Sequence, residues 1–312
     1  MKVWNVPFVV VLGFFLMWGC SPSTTNPSDA GSGNDSAAEA TPPENSQSDN
    51  SGSSVKEGSI KVVAYNVHGL PGGITGDDTN KRLKLIGPKL NDFVIAGLQE
   101  VFTDDGHKNL MEGIKHPHKH RFSKPLEGRA MGSGLLLLSQ FEAAESKEEY
   151  FNDCNGTLDG ASDCLASKGF QMVRYKISPG VEIDVYNSHF EAGSGAKDQD
   201  ARAKNVVQVR EAMLKWSKGR AIIYLGDTNL KQTRENDQKA LKEWMTTVGL
   251  TDSCEAVDCP KKGRIDRVLF RSGDSVSLEA TSWNIPEDYV YEGSTPLSDH
   301  DPIVVDLTWK RK

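Results

Sequence analysis

The sequence predicts an α/β domain in which one sheet packs on another. Three observations carry this. From Ser59 onward, short apolar runs alternate with polar stretches of helical period. Several runs are apolar at consecutive positions, as strands covered on both faces are. No internal repeat of solenoid period is present, so the 312-residue chain reads as one large domain with flanking segments.

In chain order, "IKVVAYNV" (60–67) is the first strand. "NKRLKLIGPKLNDF" (80–93) has helical spacing that Gly87-Pro88 should bend or break. "FVIAGLQEV" (93–101), "SGLLLLSQF" (133–141), "FQMVRYKI" (170–177) and "EIDVYNSHF" (182–190) are strands. A helix over 198–218 carries Ala201, Val206, Val209, Met213 and Trp216 on one face. "RAIIYLGDTN" (220–229) is a strand, followed by a helix over 236–250 with Leu241, Trp244, Met245 and Val248. "RIDRVLFRS" (264–272) and "PIVVDLTW" (302–309) are the last two strands.

Ahead of this domain lie two segments of other kinds. Residues 1–19, "MKVWNVPFVVVLGFFLMWG", have one Lys, an apolar core and a Gly before Cys20, the pattern of a secretory leader. The alternative is an uncleaved amino-terminal anchor. Residues 20–58 are rich in Ser, Gly, Asn and Pro and too poor in apolar side chains to offset the entropy of ordering, so they read as a disordered tether. Asp29, Asp35, Glu39, Glu44, Asp49 and Glu57 lie there against Lys56 alone. Most of the chain's formal charge of −7 is therefore in the tether, and the domain is near neutral. No basic stripe marks a nucleic-acid surface.

Four cysteines remain beyond Cys20. Cys154 with Cys164 and Cys254 with Cys259 would each close a short loop in an oxidising compartment. Zinc is the rival reading, but the second-pair spacing and nearby His of a zinc site are missing.

Polar residues that a buried strand should exclude recur at strand ends. Asn66, Glu100, His189, Asp227 with Asn229, Asp266, and Asp299 with His300 all stand there. Singly, each has an ordinary structural explanation as a turn, a cap or a satisfied histidine. Together they are costly unless they share a partner. Asn, Asp and Glu oxygens without Cys suit a hard cation: Mg²⁺, with Mn²⁺ or Ca²⁺ as alternatives. Two imidazoles beside such a cation make the kit for cleaving a phosphate ester.

The motifs "YNVHGLP", "LQEV", "SGLLLLS", "NSHFEAG", "LGDTN", "GRIDRVLF" and "LSDHDPI" occur in the order found in the endonuclease/exonuclease/phosphatase superfamily, which the chain resembles over nearly all of 59–312. That superfamily includes deoxyribonucleases and neutral sphingomyelinases. The resemblance implies a four-layer α/β sandwich with two central mixed sheets flanked by helices. It implies metal ligation by Asn66, Glu100 and Asp299, with Asp227 and Asn229 against the attacked phosphate and able to hold a second ion. His189 and His300 match the catalytic histidines, and Asp266 the residue that orients His300.

The end of the leader resembles a bacterial lipoprotein signal, in which Cys20 is lipidated. The protein is therefore expected outside the cytoplasm, anchored to a membrane or exported, and monomeric. A sphingomyelinase or phospholipase-C type of phosphodiesterase is the expected activity, acting on a lipid head group. A secreted nuclease is the alternative, with Arg129, Lys168 and Arg202 as phosphate contacts. A monoesterase for sugar or inositol phosphates stands third, and a non-catalytic phosphate- or lipid-binding module is the reading outside enzymes. Both cysteine loops lie away from the expected ligands in sequence, so reduction should lower stability and spare the chemistry.

Overall fold

Val62, Val63, Ala64 and Tyr65 are buried on both faces of β1 (Glu57–Asn66), which explains why the run is apolar without alternation. The computed structural model describes residues 55–156 and 163–312. The leader, Cys20 and the tether as far as residue 54 lie outside them. β1 begins two residues ahead of the expected Ser59 boundary, because Glu57 and Gly58 pair with Lys310 and Trp309.

After β1 come α1 (Gly72–Thr75), α2 (Thr79–Lys89), β2 (Ile95–Gln99), α3 (Asp104–Met111), β3 (His118–Phe122), β4 (Leu135–Ser139) and β5 (Ala143–Tyr150). The chain continues through β6 (Gly169–Ser178), β7 (Val181–His189), α4 (Ala196–Trp216), β8 (Ile222–Asp227) and α5 (Glu235–Val248). It closes with β9 (Thr251–Asp252), α6 (Ser253–Ala256), β10 (Asp266–Arg271), β11 (Val276–Asn284), β12 (Val290–Tyr291), β13 (Thr295–Pro296) and β14 (Ile303–Arg311).

Two six-stranded sheets result, ordered β11-β14-β1-β2-β4-β3 and β5-β6-β7-β8-β10-β9. Each is mixed: β1–β2 is the parallel pair of the first and β7–β8 of the second. Alternate residues of β1 belong to different cores. Val62 and Ala64 meet Val185, Ile223 and Leu225 of the opposing sheet. Val63 and Tyr65 pack with Leu83, Ile86 and Leu110 of α2 and α3. On the far side, Tyr186 and Tyr224 pack with Val209, Met213 and Trp244 of α4 and α5. Helices, sheet, sheet, helices: four layers, as expected. Among the described residues no helix is long and apolar enough to cross a membrane.

The sheets approach each other closely at Gly97. A Cβ there would lie 2.7 Å from Leu225 Cβ, so only glycine fits. Beside it Gln99 donates to Asn187 Oδ1 at 2.7 Å, tying β2 to β7 across the core.

α2 runs through Gly87 and Pro88 and then tightens into a 3-10 turn over Leu90–Asp92. Pro88 stands one residue from the helix end, so the backbone bond it forgoes is lost only from the last turn and the helix stops there. Gly87 lets α2 approach the end of α3, since a Cβ would meet Leu110 O at 2.2 Å. Cys154–Cys164 and Cys254–Cys259 are disulfides, with Cα separations of 5.4 and 4.9 Å, and the zinc alternative falls.

Candidate active site

Strand register assembles the polar residues. Asp227, the last residue of β8, stands opposite His189 in parallel β7 and opposite Asp266 in antiparallel β10. One row across three strands therefore carries all three. The first sheet presents Asn66 at the end of β1 and Glu100 just past β2. Ser298 Oγ bonds Asn66 O at 2.7 Å and draws the loop before β14, with Asp299 and His300, over the same edge.

Asn66 is buried and bridges the sheets. Its Nδ2 donates to Glu100 Oε1 at 2.9 Å and to Asp227 Oδ2 at 3.2 Å, while Oδ1 accepts from the His68 N–H. His300 Nδ1 lies 2.9 and 3.0 Å from the two oxygens of Asp266. Its Nε2 stands 3.8 Å from Asp227 Oδ2, and His189 Nε2 stands 3.6 Å from the same oxygen. Asp227 thus has an imidazole on either side. The Asn229 N–H donates to Asp227 Oδ1 at 2.9 Å. Glu100 and Asn229 have φ of 63° and 51°, a left-handed backbone that turns each side chain back over its own strand end.

Burial opposes charge on His300, but the hydrogen bond and charge of Asp266, with Asp227 and Asp299 behind it, raise its pKa to about 10. Burial, then the charges of Lys168 and His300, hold His189 well below the usual imidazole value, so it is neutral. Burial and the nearby Asp266 push the Asp227 carboxyl upward against the pull of His300.

These groups floor a cleft of about 300 Å³. Glu100, Lys168, His189, Asp227, Asn229 and His300 line its base, and Leu70, Ile74, Phe102, Met131 and Leu165 its walls. Lys168 Nζ stands 3.3 Å from His189 Nε2 and is paired with Asp163 at 2.9 Å. Asp163 adjoins Cys164, so the first disulfide loop borders the cleft despite its distance in sequence. Of the three basic residues expected at a phosphate, Lys168 alone lines the cleft. Arg202 is fully buried, gripping Asp237 at 2.9 Å and the carbonyl of Glu191 at 2.8 Å. Arg129 is spent on Cys164 O.

Among the described residues, Asp227, Asp266 and His300 form the one group of three whose ligand atoms all lie within 4.8 Å of one another. The expected oxygen ligands fit a cation on a separate observation: Glu100 Oε2 is buried with no hydrogen-bond partner. The sequence reading missed two residues. His68 lies between two of those ligands, its Nδ1 3.2 Å from Asp299 Oδ1 and 3.9 Å from Glu100 Oε2. Buried Arg82 bonds the carbonyls of His68 and Leu297 at 2.8 and 2.9 Å, joining the loops that carry His68 and Asp299. His68 was visible within "NVHGLP"; nothing in the spacing marks Arg82.

Comparison with known proteins adds to this geometry. The Endonuclease/Exonuclease/phosphatase family 2 matches residues 77–252. A sphingomyelinase of Mycobacterium tuberculosis is 29% identical over 269 residues, covering 80% of this chain and 52% of that protein. The chain spans about half the length of the curated sphingomyelinases it matches from that genus. Two crystal structures share the fold. A beta toxin variant of Staphylococcus aureus with bound magnesium ions has a TM-score of 0.61 at 16% identity, covering 80% of this chain and 99% of that one. Sphingomyelinase C from Streptomyces griseocarneus has a TM-score of 0.59 at 18% identity, covering 80% and 99%.

Proposed function

Because the chain belongs to the Endonuclease/Exonuclease/phosphatase family 2, we propose that it is a divalent-metal-dependent phosphodiesterase of the sphingomyelinase type. The observation that carries this reading is a single cleft with two imidazoles flanking Asp227 at its floor and apolar side chains on its walls. The floor suits a phosphate and the walls suit the apolar remainder of a lipid ester. The similarity to a mycobacterial sphingomyelinase supports the same substrate class.

Glu100 and Asp299 would hold Mg²⁺, with Asn66, Asp227 and Asn229 completing the polar floor; the cation supplies a positive charge that polarises the phosphoryl oxygen. Water attacks phosphorus in line with the leaving oxygen. Its proton passes to Asp227, and Asp266 holds the His300 imidazolium so that Nε2 faces the cleft beside that carboxylate. His189 and Lys168 stand together and stabilise charge on the transferred phosphoryl group and the leaving oxygen. Both disulfides support an extracytoplasmic location. The proposal extends to anchoring at a membrane through Cys20, which rests on the leader sequence alone.

The test is phosphocholine release from sphingomyelin vesicles and nicking of plasmid DNA, each with Mg²⁺ and with EDTA. Metal-dependent phosphocholine release with intact plasmid supports the proposal. Nicking without phosphocholine release replaces it with a nuclease, and neither activity with a binding module.

A further inference from the structure

Asn66, the expected oxygen ligand of the first strand, has its amide fully engaged: Oδ1 accepts from the His68 N–H at 3.0 Å and Nδ2 donates to two carboxylates. The same loop offers another donor atom. His68 is two residues on, with φ of 49°, and this left-handed backbone swings its ring back toward the end of β2. Nδ1 thereby reaches a place between Asp299 Oδ1, at 3.2 Å, and Glu100 Oε2, at 3.9 Å. Atoms that share neighbouring positions around a small divalent cation, each about 2.1 Å from it, lie about 3 Å apart. Glu100 Oε2 is buried and otherwise unpartnered, so it is free to take a ligand there.

The ring is not a loose surface histidine. Arg82 holds the His68 carbonyl at 2.8 Å and the Leu297 carbonyl at 2.9 Å, and is itself held by Asp77 at 2.8 Å. One buried guanidinium therefore fixes the loops that deliver both His68 and Asp299. Such rigid support is what a ligand needs to be present before the ion arrives.

We propose that His68 is a nitrogen ligand of the cation held by Glu100 and Asp299, and that it ranks Mn²⁺ and Co²⁺ above Mg²⁺ at this site. This rests on the metal-dependent reading above. An imidazole among carboxylates favours first-row transition ions, whereas an all-oxygen shell leaves Mg²⁺ competitive.

The test is Mn²⁺ binding to the full chain, read by electron paramagnetic resonance, with pulsed spectra for nitrogen bonded to the ion. The expected wild-type result is bound Mn²⁺ with imidazole nitrogen coupling. His68→Asn, which tolerates the left-handed backbone, should abolish the coupling and weaken Mn²⁺ by about tenfold or more, and Mg²⁺ far less. His300→Gln, which removes the imidazole next to Asp299 in the chain, should leave the coupling in place. Melting curves of both variants establish that they are folded, and His68→Gly serves if the Asn variant is not. Coupling that survives in His68→Asn, or an unchanged preference between the ions, overturns the inference. If Mn²⁺ binds without nitrogen coupling and Glu100→Gln abolishes that binding, the inference falls while the metal-dependent reading stands. No Mn²⁺ binding at all sinks both.

Discussion

Asn66, the last residue of β1, donates to Asp227, the last residue of β8 in the opposite sheet, at 3.2 Å. The bond joins the two halves of the cleft floor where neither sheet could do so through its own ladder. Asn66→Asp would replace the shared donor with a third carboxylate beside Glu100 and Asp227. The melting temperature should fall by roughly 4–10 °C, the effect of a buried acceptor losing its partner in a domain of this size. Mg²⁺ should recover part of that loss by offsetting the added charge. Melting with and without the ion checks both.

Asp266 accepts from His300 Nδ1 through both oxygens. Asp266→Asn keeps the shape but takes away the charge that aligns and sustains the imidazolium. Turnover of a phosphodiester substrate should fall by about 10²–10⁴ with KM little changed, because the lost interaction serves the transition state. A variant with wild-type kcat would remove His300 from the mechanism.

Asn229 separates the needs of stability from those of activity. Its φ of 51° suits glycine, so Asn229→Gly should hold its melting temperature within about 2 °C. The side chain beside Asp227 is lost, and kcat should drop by about 10². Thermal denaturation and initial rates on one preparation make the comparison.

Glu191 gives the fold a pH signature. It is buried near Asp163 and Asp198, with Lys168 opposing them and the Asn155 N–H donating to it at 2.8 Å. Burial first, then the charge of Asp163, raise its pKa from 4.5 to about 8. Between those values the folded protein keeps a proton that the unfolded chain has released. This group's contribution therefore falls as pH rises through that window and levels off above it. Glu191→Gln should flatten the decline and raise the melting temperature at pH 8 by about 2–4 °C, the shift expected from about 1 kcal/mol.

The two disulfides should part company when removed. Asp163, next to Cys164, pairs with Lys168 at 2.9 Å, and Lys168 stands against His189. A Cys154→Ser, Cys164→Ser double variant should lose about tenfold or more in kcat as well as stability. The Cys254→Ser, Cys259→Ser pair should lose stability alone. Equal kinetics in the two would restore the simpler expectation that neither loop bears on chemistry.

The site was legible in the sequence for a physical reason. Carboxylates and imidazoles at the ends of buried strands need shared partners, and Asn66, Asp227 and Asp266 stand at such ends. The long strands were legible because four layers bury both of their faces. β5, "AAESKEEY", was not, since it is a sheet edge with no buried position and charges on both faces, and β3, "HKHRF", is also an edge strand. α3 is short and is marked chiefly by the Thr103 cap that accepts the Gly106 N–H. Arg202 misled because charge in a helix suggests exposure, whereas this guanidinium is fully buried against Asp237. His68 gains its role from a local backbone reversal, which residue spacing does not encode.

At Gly97 and Leu225 the two sheets nearly touch. That contact acts as a shim: it sets how far apart Asn66 and Asp227 can stand, from positions two residues before Asp227 and three before Glu100. A methyl group inserted there would wedge the halves of the molecule open from within, leaving every catalytic side chain intact and out of reach of its neighbours.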